Sequence, residues 1–562
     1  MPYGSNRIRG VVVVTADLVI KGGTVVDGSG GPGRLADVAI TGDRVTAIGS
    51  GLTGNDVLDA TGHVVAPGFI DNHTHFDAQV FWDPALTPSC FHGVTTVVAG
   101  NCGFSIAPCR PEHREFIART LEQVEDMDFT ALSAGIPWEF ESFPEYLAAV
   151  RRRGVVLNYG VYVGHTAIRL FVMGDDFERA ANDAEVGRMR EVLTEAMEAG
   201  ALGFASSRLP THNGAYGKPI PSRYAEESEM ETLAEVLGEL DRGVLMIAPG
   251  NYPLESLYAL SNRVGRPLTW TALATDPSGR YRKRAEFHSA QHRNGADVWP
   301  QVTPRPIVFQ VVLNAPFPLN VGPRFAALVG RPSTDRMAAY SDPEWRRAAA
   351  EELDTATDRP RPRWDTFTVA ESLRHPDLVG RNLSQLASDR GVHPIDIMCE
   401  LAVDDELETR INCTLANDDP DGIAFLLNLP GTILGLSDAG AHVRQICDAA
   451  QATELLGTWV RERGVLSVEQ AVRKLSGEQA DLLRLTDRGY LREGAFADVV
   501  VFDPTTVAPG PTKRLYDFPG GSERLTADQP SGIAHVLVNG VPIRRDGTQL
   551  EQADAGRPGM LI

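Results

Sequence analysis

Between residue 67 and about residue 485, short apolar runs alternate with longer stretches whose apolar residues recur at three- and four-residue spacing. That alternation predicts parallel strands joined by crossover helices. The apolar runs are Gly68–Asn72, Thr95–Ala99, Val155–Val163, Leu202–Ser206, Val244–Ile247, Leu268–Leu273, Asp297–Val302 and Ile433–Leu436. Helical spacing is plainest over Asp183–Ala199, Ser228–Leu240 and Ser467–Lys474. Eight strands in this order predict an α/β chain built as a (β/α)8 TIM-like barrel. Both chain ends read differently. Residues 18–66 are short strand-like runs broken by Asp27-Gly28 and Gly42-Asp43, and Tyr490–Asp503 and His535–Ile543 repeat the pattern. Neither end can bury two faces alone, so 1–66 and 486–562 are expected to form one small β-sandwich domain. The barrel then spans 67–485, with a long insertion around 310–430 that lies over it as a partly helical lid.

Composition narrows the class. A chain of 562 residues with 43% hydrophobic and 23% charged residues is long enough for a barrel and a smaller domain. The formal charge of −21 argues against nucleic acid or an anionic membrane as partner. Six cysteines without paired spacing suggest a reducing compartment. Val11–Val14 is too short an apolar run for a signal peptide, and no stretch is long enough to span a membrane. The expected setting is cytoplasmic, with a small-molecule substrate; a homo-oligomer is compatible and the oligomeric state is left open.

In a TIM barrel the chemistry sits at the C-terminal ends of strands. The first strand run ends in His73-Thr74-His75, flanked by Asp71 and Asp77. In extended chain, residues i and i+2 point the same way, so two imidazoles converge while Thr74 faces away. Imidazole is the commonest zinc ligand, although two histidines can also simply end a buried strand. The last run ends in Ser437-Asp438, a carboxylate that can share a cation with His73 and His75 or cap the next helix. Cys102 follows the second run, as a thiolate ligand or as a small buried hydrophobe.

Pro67-Gly-Phe-Ile-Asp-Asn-His-Thr-His75 closely resembles the first-strand signature of the amidohydrolase superfamily, and Gly93–Gly103, with its Asn-Cys-Gly, resembles the N-acyl-D-amino-acid deacylase (D-aminoacylase) branch. The likeness runs from about residue 18 to about 505. It implies zinc, one or two ions, held by His73, His75, Asp438 and Cys102. It also implies an amide-cleaving reaction in which Asp438 takes the proton of the attacking water. Gly164-His165-Thr166 is similar to the branch's active-site histidine segment. His165, Arg208, His212, Arg305, His442 and Arg444 are the substrate-binding candidates, the arginines as alternative holders of a carboxylate. Trp299 and Gln301 are further pocket candidates. The branch places a metal-binding histidine after strands five and six, whereas here Met246-Ile-Ala-Pro-Gly-Asn251 and Leu268–Leu273 contain none. His288-x-x-x-His292 lies in an arginine- and lysine-rich stretch and reads as a solvated helix. The implied substrate is an N-acyl (D-)amino acid. Other metal-dependent reactions on the same barrel (cyclic amide or ester hydrolysis, C–C cleavage) and a catalytically degenerate ligand-binding relative stay open.

Overall fold

The structure, a computed structural model, describes residues 15–357, 361–551 and 556–562. The apolar run Val11–Val14 lies outside them.

Eight parallel strands form one sheet: β1 (Phe69–Asp71), β2 (Val94–Ala99), β3 (Asn158–Gly164), β4 (Gly203–Ser207), β5 (Val244–Ala248), β6 (Leu268–Trp270), β7 (Val298–Val302) and β8 (Ile433–Leu434). They are hydrogen-bonded in sequence order, and each lies within a few residues of its predicted run. Beyond the ends of β8 and β1 the sheet closes on itself. Thr74 bridges Ala439 in parallel, and the His75 amide donates to the Ala439 carbonyl at 2.7 Å. The strands are apolar without alternation because both faces are covered; all six residues of β2 are buried.

Five helices matter below: α1 (Arg114–Val124), α2 (Asp183–Ala199), α3 (Glu227–Glu239), α4 (Arg280–Arg293) and α5 (Ser333–Ser341). The α2 boundaries coincide with the predicted ones, for local reasons. Asn182 and Glu185 form a capping box at its start, and Gly200, at φ 117°, ends it. Its buried residues Met189, Leu193, Ala196 and Met197 lie on one stripe. Predicted Ser228–Leu240 corresponds to α3. Predicted Ser467–Lys474 begins as an α-helix at Val468–Val472, then widens into a π-helical turn over Arg473–Gly477.

Strands from the two chain ends share one nine-stranded sheet. Val64–Pro67 runs antiparallel to Val499–Phe502, with Val65 opposite Val501. Leu18, Ile20, Val38, Ile40, Val499 and Leu537 belong to a core separate from the barrel's. The insertion after β7 is more than helices. Ile307–Val312, Arg410–Ala416 and Thr368–Glu371 form a three-stranded antiparallel sheet with the long strand in the middle. Phe309, Leu353, Met398 and Ile411 fill a third core beneath it.

Candidate metal centre

The first strand run delivers its histidines as its spacing predicts. The His73 and His75 rings lie 5.4 Å apart, both buried, and Thr74 turns away to donate to the Val98 carbonyl at 2.8 Å. Cys102 reaches them from the turn after β2. Gly100, at φ 78°, makes that turn, and a Cβ there would sit 2.2 Å from the Tyr162 carbonyl oxygen. The Cys102 Sγ lies 3.7 Å from His73 Nε2. One ligand atom from each of His73, His75 and Cys102 falls within 4.8 Å of the others.

Asp438 completes the cluster from the loop after β8. Its Oδ1 lies 3.0 Å from His73 Nε2 and 3.8 Å from His75 Nε2. A tetrahedral zinc with arms of about 2.0–2.3 Å has ligand–ligand edges of about 3.3–3.8 Å. The Cys102–His73 and Asp438–His75 separations, 3.7 and 3.8 Å, fall in that range, and imidazole, thiolate and carboxylate are the donors zinc selects. The donor set therefore fits one such ion. Cys102, Asp438 and His442 hold positive φ (54°, 45° and 47°), backbone strain gathered at one spot.

The surroundings tune these groups. Gln301 on β7 accepts from His73 Nδ1 at 2.6 Å, which fixes the ring and points Nε2 into the cluster. Gly435 makes room for it, since a Cβ there would meet Gln301 Oε1 at 2.3 Å. Burial, then the neighbouring His73, pushes the His75 imidazole down to about 3, so it is a neutral donor. Burial pushes the Cys102 thiol well up, with Glu125 and Asp438 adding to it. Burial also acts on Asp438, but His73, His75 and His442 outweigh it and hold the carboxyl well below the usual range.

Glu125, which follows α1 directly, is a member the sequence did not reveal. It is 3% exposed, with Oε1 3.4 Å from His75 Nδ1 and Oε2 3.8 Å from His442 Nε2. Burial, with Asp438 and Asp77 nearby, drives its pKa well up. It sits in Val124-Glu-Asp-Met127, where only its place in a loop at the C-terminal end of a strand could have flagged it.

The other candidates divide. His212 lies near the cluster: its Nδ1 is 2.8 Å from Ser207 Oγ, and burial, with His442, pushes it down to about 3. His442 contacts Glu125 and stacks edge-on against Phe309. His165 is spent elsewhere, between Ser206 Oγ at 2.9 Å and Glu229 at 2.8 Å, and Glu229 also holds the fully buried Arg169. The arginines proposed as carboxylate holders are engaged. Arg208 donates to the Ala225 carbonyl at 2.9 Å, Arg305 pairs with Asp448 at 3.0 Å, and Arg444 pairs with Asp126. Trp299 donates to Asp297 at the opposite end of β7 from the cluster. Asp71 accepts from the His73 amide and Asp77 from that of Gly100, so both brace backbone.

One expectation changes. His288 is not solvated: α4 turns it fully inward, between Tyr258 Oη and the Pro430 carbonyl, each at 2.9 Å. Where histidines are missing, β5 turns a methionine and β6 a threonine toward the cluster. Met246 Sδ accepts from the Cys102 amide at 3.3 Å, while on β6 the inward residue is Thr269, which accepts from Gln301 Nε2 at 3.2 Å.

A closed parallel barrel carrying this donor cluster at its C-terminal mouth defines a metal-dependent barrel hydrolase. The chain belongs to the amidohydrolase family, which matches residues 56–544, and within it to the D-aminoacylase branch. A D-aminoacylase of Alcaligenes xylosoxydans xylosoxydans is 30% identical over 549 residues, 94% of each chain. A solved D-aminoacylase, described as having a binuclear metal centre, superposes with a TM-score of 0.67 at 26% identity, covering 97% of this chain and 99% of that one. The N-acyl-D-glutamate deacylase of Bordetella bronchiseptica, solved with zinc and a phosphonate mimic of the tetrahedral intermediate, gives 0.67 at 27% identity with the same coverage. Among the described residues, no helix is long and apolar enough to cross a membrane.

Proposed function

We propose that this chain hydrolyses the amide bond of N-acyl-D-amino acids at a single zinc ion held by His73, His75 and Cys102, with Asp438 as general base and acid. The observation that carries the reading is the convergence of these side chains from β1, β2 and β8: ligand atoms of His73, His75 and Cys102 lie within 4.8 Å of one another, with Asp438 Oδ1 3.0 Å from His73 Nε2. The single ion rests on Met246 and Thr269, which occupy the inward face of β5 and β6 and offer no imidazole. When bound, zinc lowers the pKa of a coordinated water to roughly 7 and polarises the scissile carbonyl.

The protein's own groups do the rest. Asp438 stays ionised, accepts the proton of the attacking water and returns it to the leaving nitrogen. His212, neutral and half-buried, is placed to donate to the developing oxyanion. Gln301 holds the His73 ring, and Glu125 lies 3.4 Å from His75 Nδ1. The same reading takes the end sheet, residues 1–66 with 486–562, as a scaffold domain beside a barrel over 67–485: one face of the sheet has its own core, and the other packs into the barrel's. It also places the protein in the cytoplasm, in keeping with six free cysteines.

Asp438→Asn tests the assignment. Zinc content is expected to stay near one per chain while kcat on N-acyl-D-amino acids falls about 10²–10⁴-fold. Unchanged turnover would overturn the mechanism.

A further inference from the structure

The loop after β8 that carries Asp438 is strained. Leu436, Asp438 and His442 hold positive φ (60°, 45° and 47°), and side-chain-bearing residues keep that conformation only where their surroundings over-determine it. The barrel fixes the near end of the loop: the Gly435 amide donates to the Val302 carbonyl at 3.0 Å, and the Ala439 carbonyl accepts from the His75 amide at 2.7 Å. The far end is held from distant parts of the chain. Three consecutive carbonyls are each taken by a different donor: Val443 by the Leu525 amide at 2.6 Å, Arg444 by the Arg514 guanidinium at 3.2 Å, and Gln445 by the Gln310 amide at 2.8 Å.

Leu525 and Arg514 belong to one antiparallel hairpin, Lys513–Phe518 paired with Ser522–Thr526. Phe518 at its tip packs with Val443 and Ala131 and meets Trp82 edge-on, which seats the hairpin on the barrel mouth. Gln310 lies on the insertion strand Ile307–Val312. That strand is itself anchored, since the fully buried Tyr340 of α5 donates to the Leu313 carbonyl at 3.1 Å. Arg514 is where hairpin, insertion and loop meet. Its side chain is 8% exposed, and its fork splits between them: Nη2 donates to Gln310 Oε1 at 2.7 Å and to Glu371 at 3.0 Å, while Nη1 donates to the Arg444 carbonyl and lies 3.4 Å from Glu523. Arg410 shares both carboxylates, at 2.9 Å from Glu523 and 3.7 Å from Glu371. Without Arg514, neither carboxylate would lose its last cation. What Arg514 adds is the hold on the Arg444 carbonyl.

We propose that Arg514 is a positioning residue for the hydrolytic reaction: by tying the Arg444 carbonyl to the hairpin and the insertion, it holds the left-handed loop that aims Asp438 at the attacking water. This role rests on the hydrolase reading of the metal centre and deepens it. Arg514 touches neither the donor cluster nor a reacting atom, so its effect passes through the alignment of Asp438. Alignment of a general base is felt in the transition state more than in substrate binding, which places the effect in kcat and not in KM. The insertion and the hairpin then serve the chemistry as a clamp closed over the end of the loop that the barrel leaves to them.

Arg514→Gln, compared with Arg410→Gln in the zinc-loaded protein, tests this by kinetics and by hydrogen–deuterium exchange read by mass spectrometry. Arg514→Gln is expected to keep its zinc and to hold KM on an N-acyl-D-amino acid within about twofold, while kcat falls about 10–100-fold. Amide exchange should quicken about tenfold or more across residues 436–446 and stay at the wild-type rate in β3 and β4. Arg514→Lys, which keeps the charge and loses the fork, should fall between the two in both readings. Arg410→Gln should lower the Tm and leave kcat and the exchange of 436–446 within about twofold of wild type. Wild-type kcat or wild-type exchange in Arg514→Gln overturns the role, and so does an equal loss of kcat in Arg410→Gln, which would make the effect one of general stability. Should Arg514→Gln fail to fold, wild-type kcat and exchange in Arg514→Lys overturn it instead. A protein inert on every amide whose 436–446 segment still loosens in Arg514→Gln keeps the clamp and loses the hydrolase reading, so the two failures are separable.

Discussion

Cys102 shows how backbone and electrostatics act together at a single position. Its left-handed φ of 54° turns the thiol toward His73, and burial holds that thiol protonated until a cation displaces the proton. Zinc capture should therefore release one proton, and apparent affinity should fall about tenfold for each pH unit below 8. Competition with a chelator between pH 6 and 8 measures the slope. Cys102→Ser should bind zinc more weakly and with a flatter profile; a flat profile in the wild type would remove the thiol from the donor set. His73, His75, Cys102 and Asp438 were legible in the sequence because each sits at a strand end in a recognisable motif. Glu125 and Gln301 were not legible as partners of the histidines. Their contacts join positions 50 and 228 residues apart in the chain, a pairing that no local pattern encodes.

Elements were legible where their signals are local. Caps and stripe fix α2, and continuous apolar runs bounded by turns fix the barrel strands. The insertion sheet escaped because Ile307–Val312 pairs with Arg410–Ala416 across about a hundred residues. The inward side of α4 escaped for another reason: its Arg- and Lys-rich composition hides the buried stripe of Tyr281, Ala285 and His288. Burial pushes that imidazole down to about 4, opposed by its bond to the Pro430 carbonyl. A folded pKa below the ordinary 6.5 means that the neutral ring contributes stability above pH 6.5, and that this is lost as pH falls toward 4. His288→Phe removes the two hydrogen bonds together with the titration. It should cost about 2–3 kcal/mol at pH 7.5, by denaturant unfolding, and the deficit should shrink steadily toward pH 4. A deficit independent of pH would show that the ring's titration is not linked to folding.

At the scale of the whole molecule the donor cluster is also a seam. The barrel sheet has β1 and β8 at its two ends, and they meet only beyond their regular hydrogen bonding, through the Thr74–Ala439 bridge and the Ser437 hydroxyl on the His73 carbonyl at 2.8 Å. His73 and His75 leave one end, Asp438 leaves the other, and Cys102 leaves the strand beside β1. A cation bound among them thus spans the closure, and it binds the folded chain far better than the unfolded one because only folding assembles its ligands. Linkage then fixes the size of the effect: zinc at a hundred times its dissociation constant adds about 2.7 kcal/mol. Chelator-treated protein should keep its secondary structure, held by the barrel core, and unfold a few degrees lower by thermal scanning. Adding back one equivalent of zinc should restore the loss. His73→Ala should start at the lower Tm and ignore both chelator and zinc, which separates a stitch at this seam from zinc bound at the surface. If wild type and His73→Ala respond to zinc alike, the cluster does not hold the ion that closes the barrel.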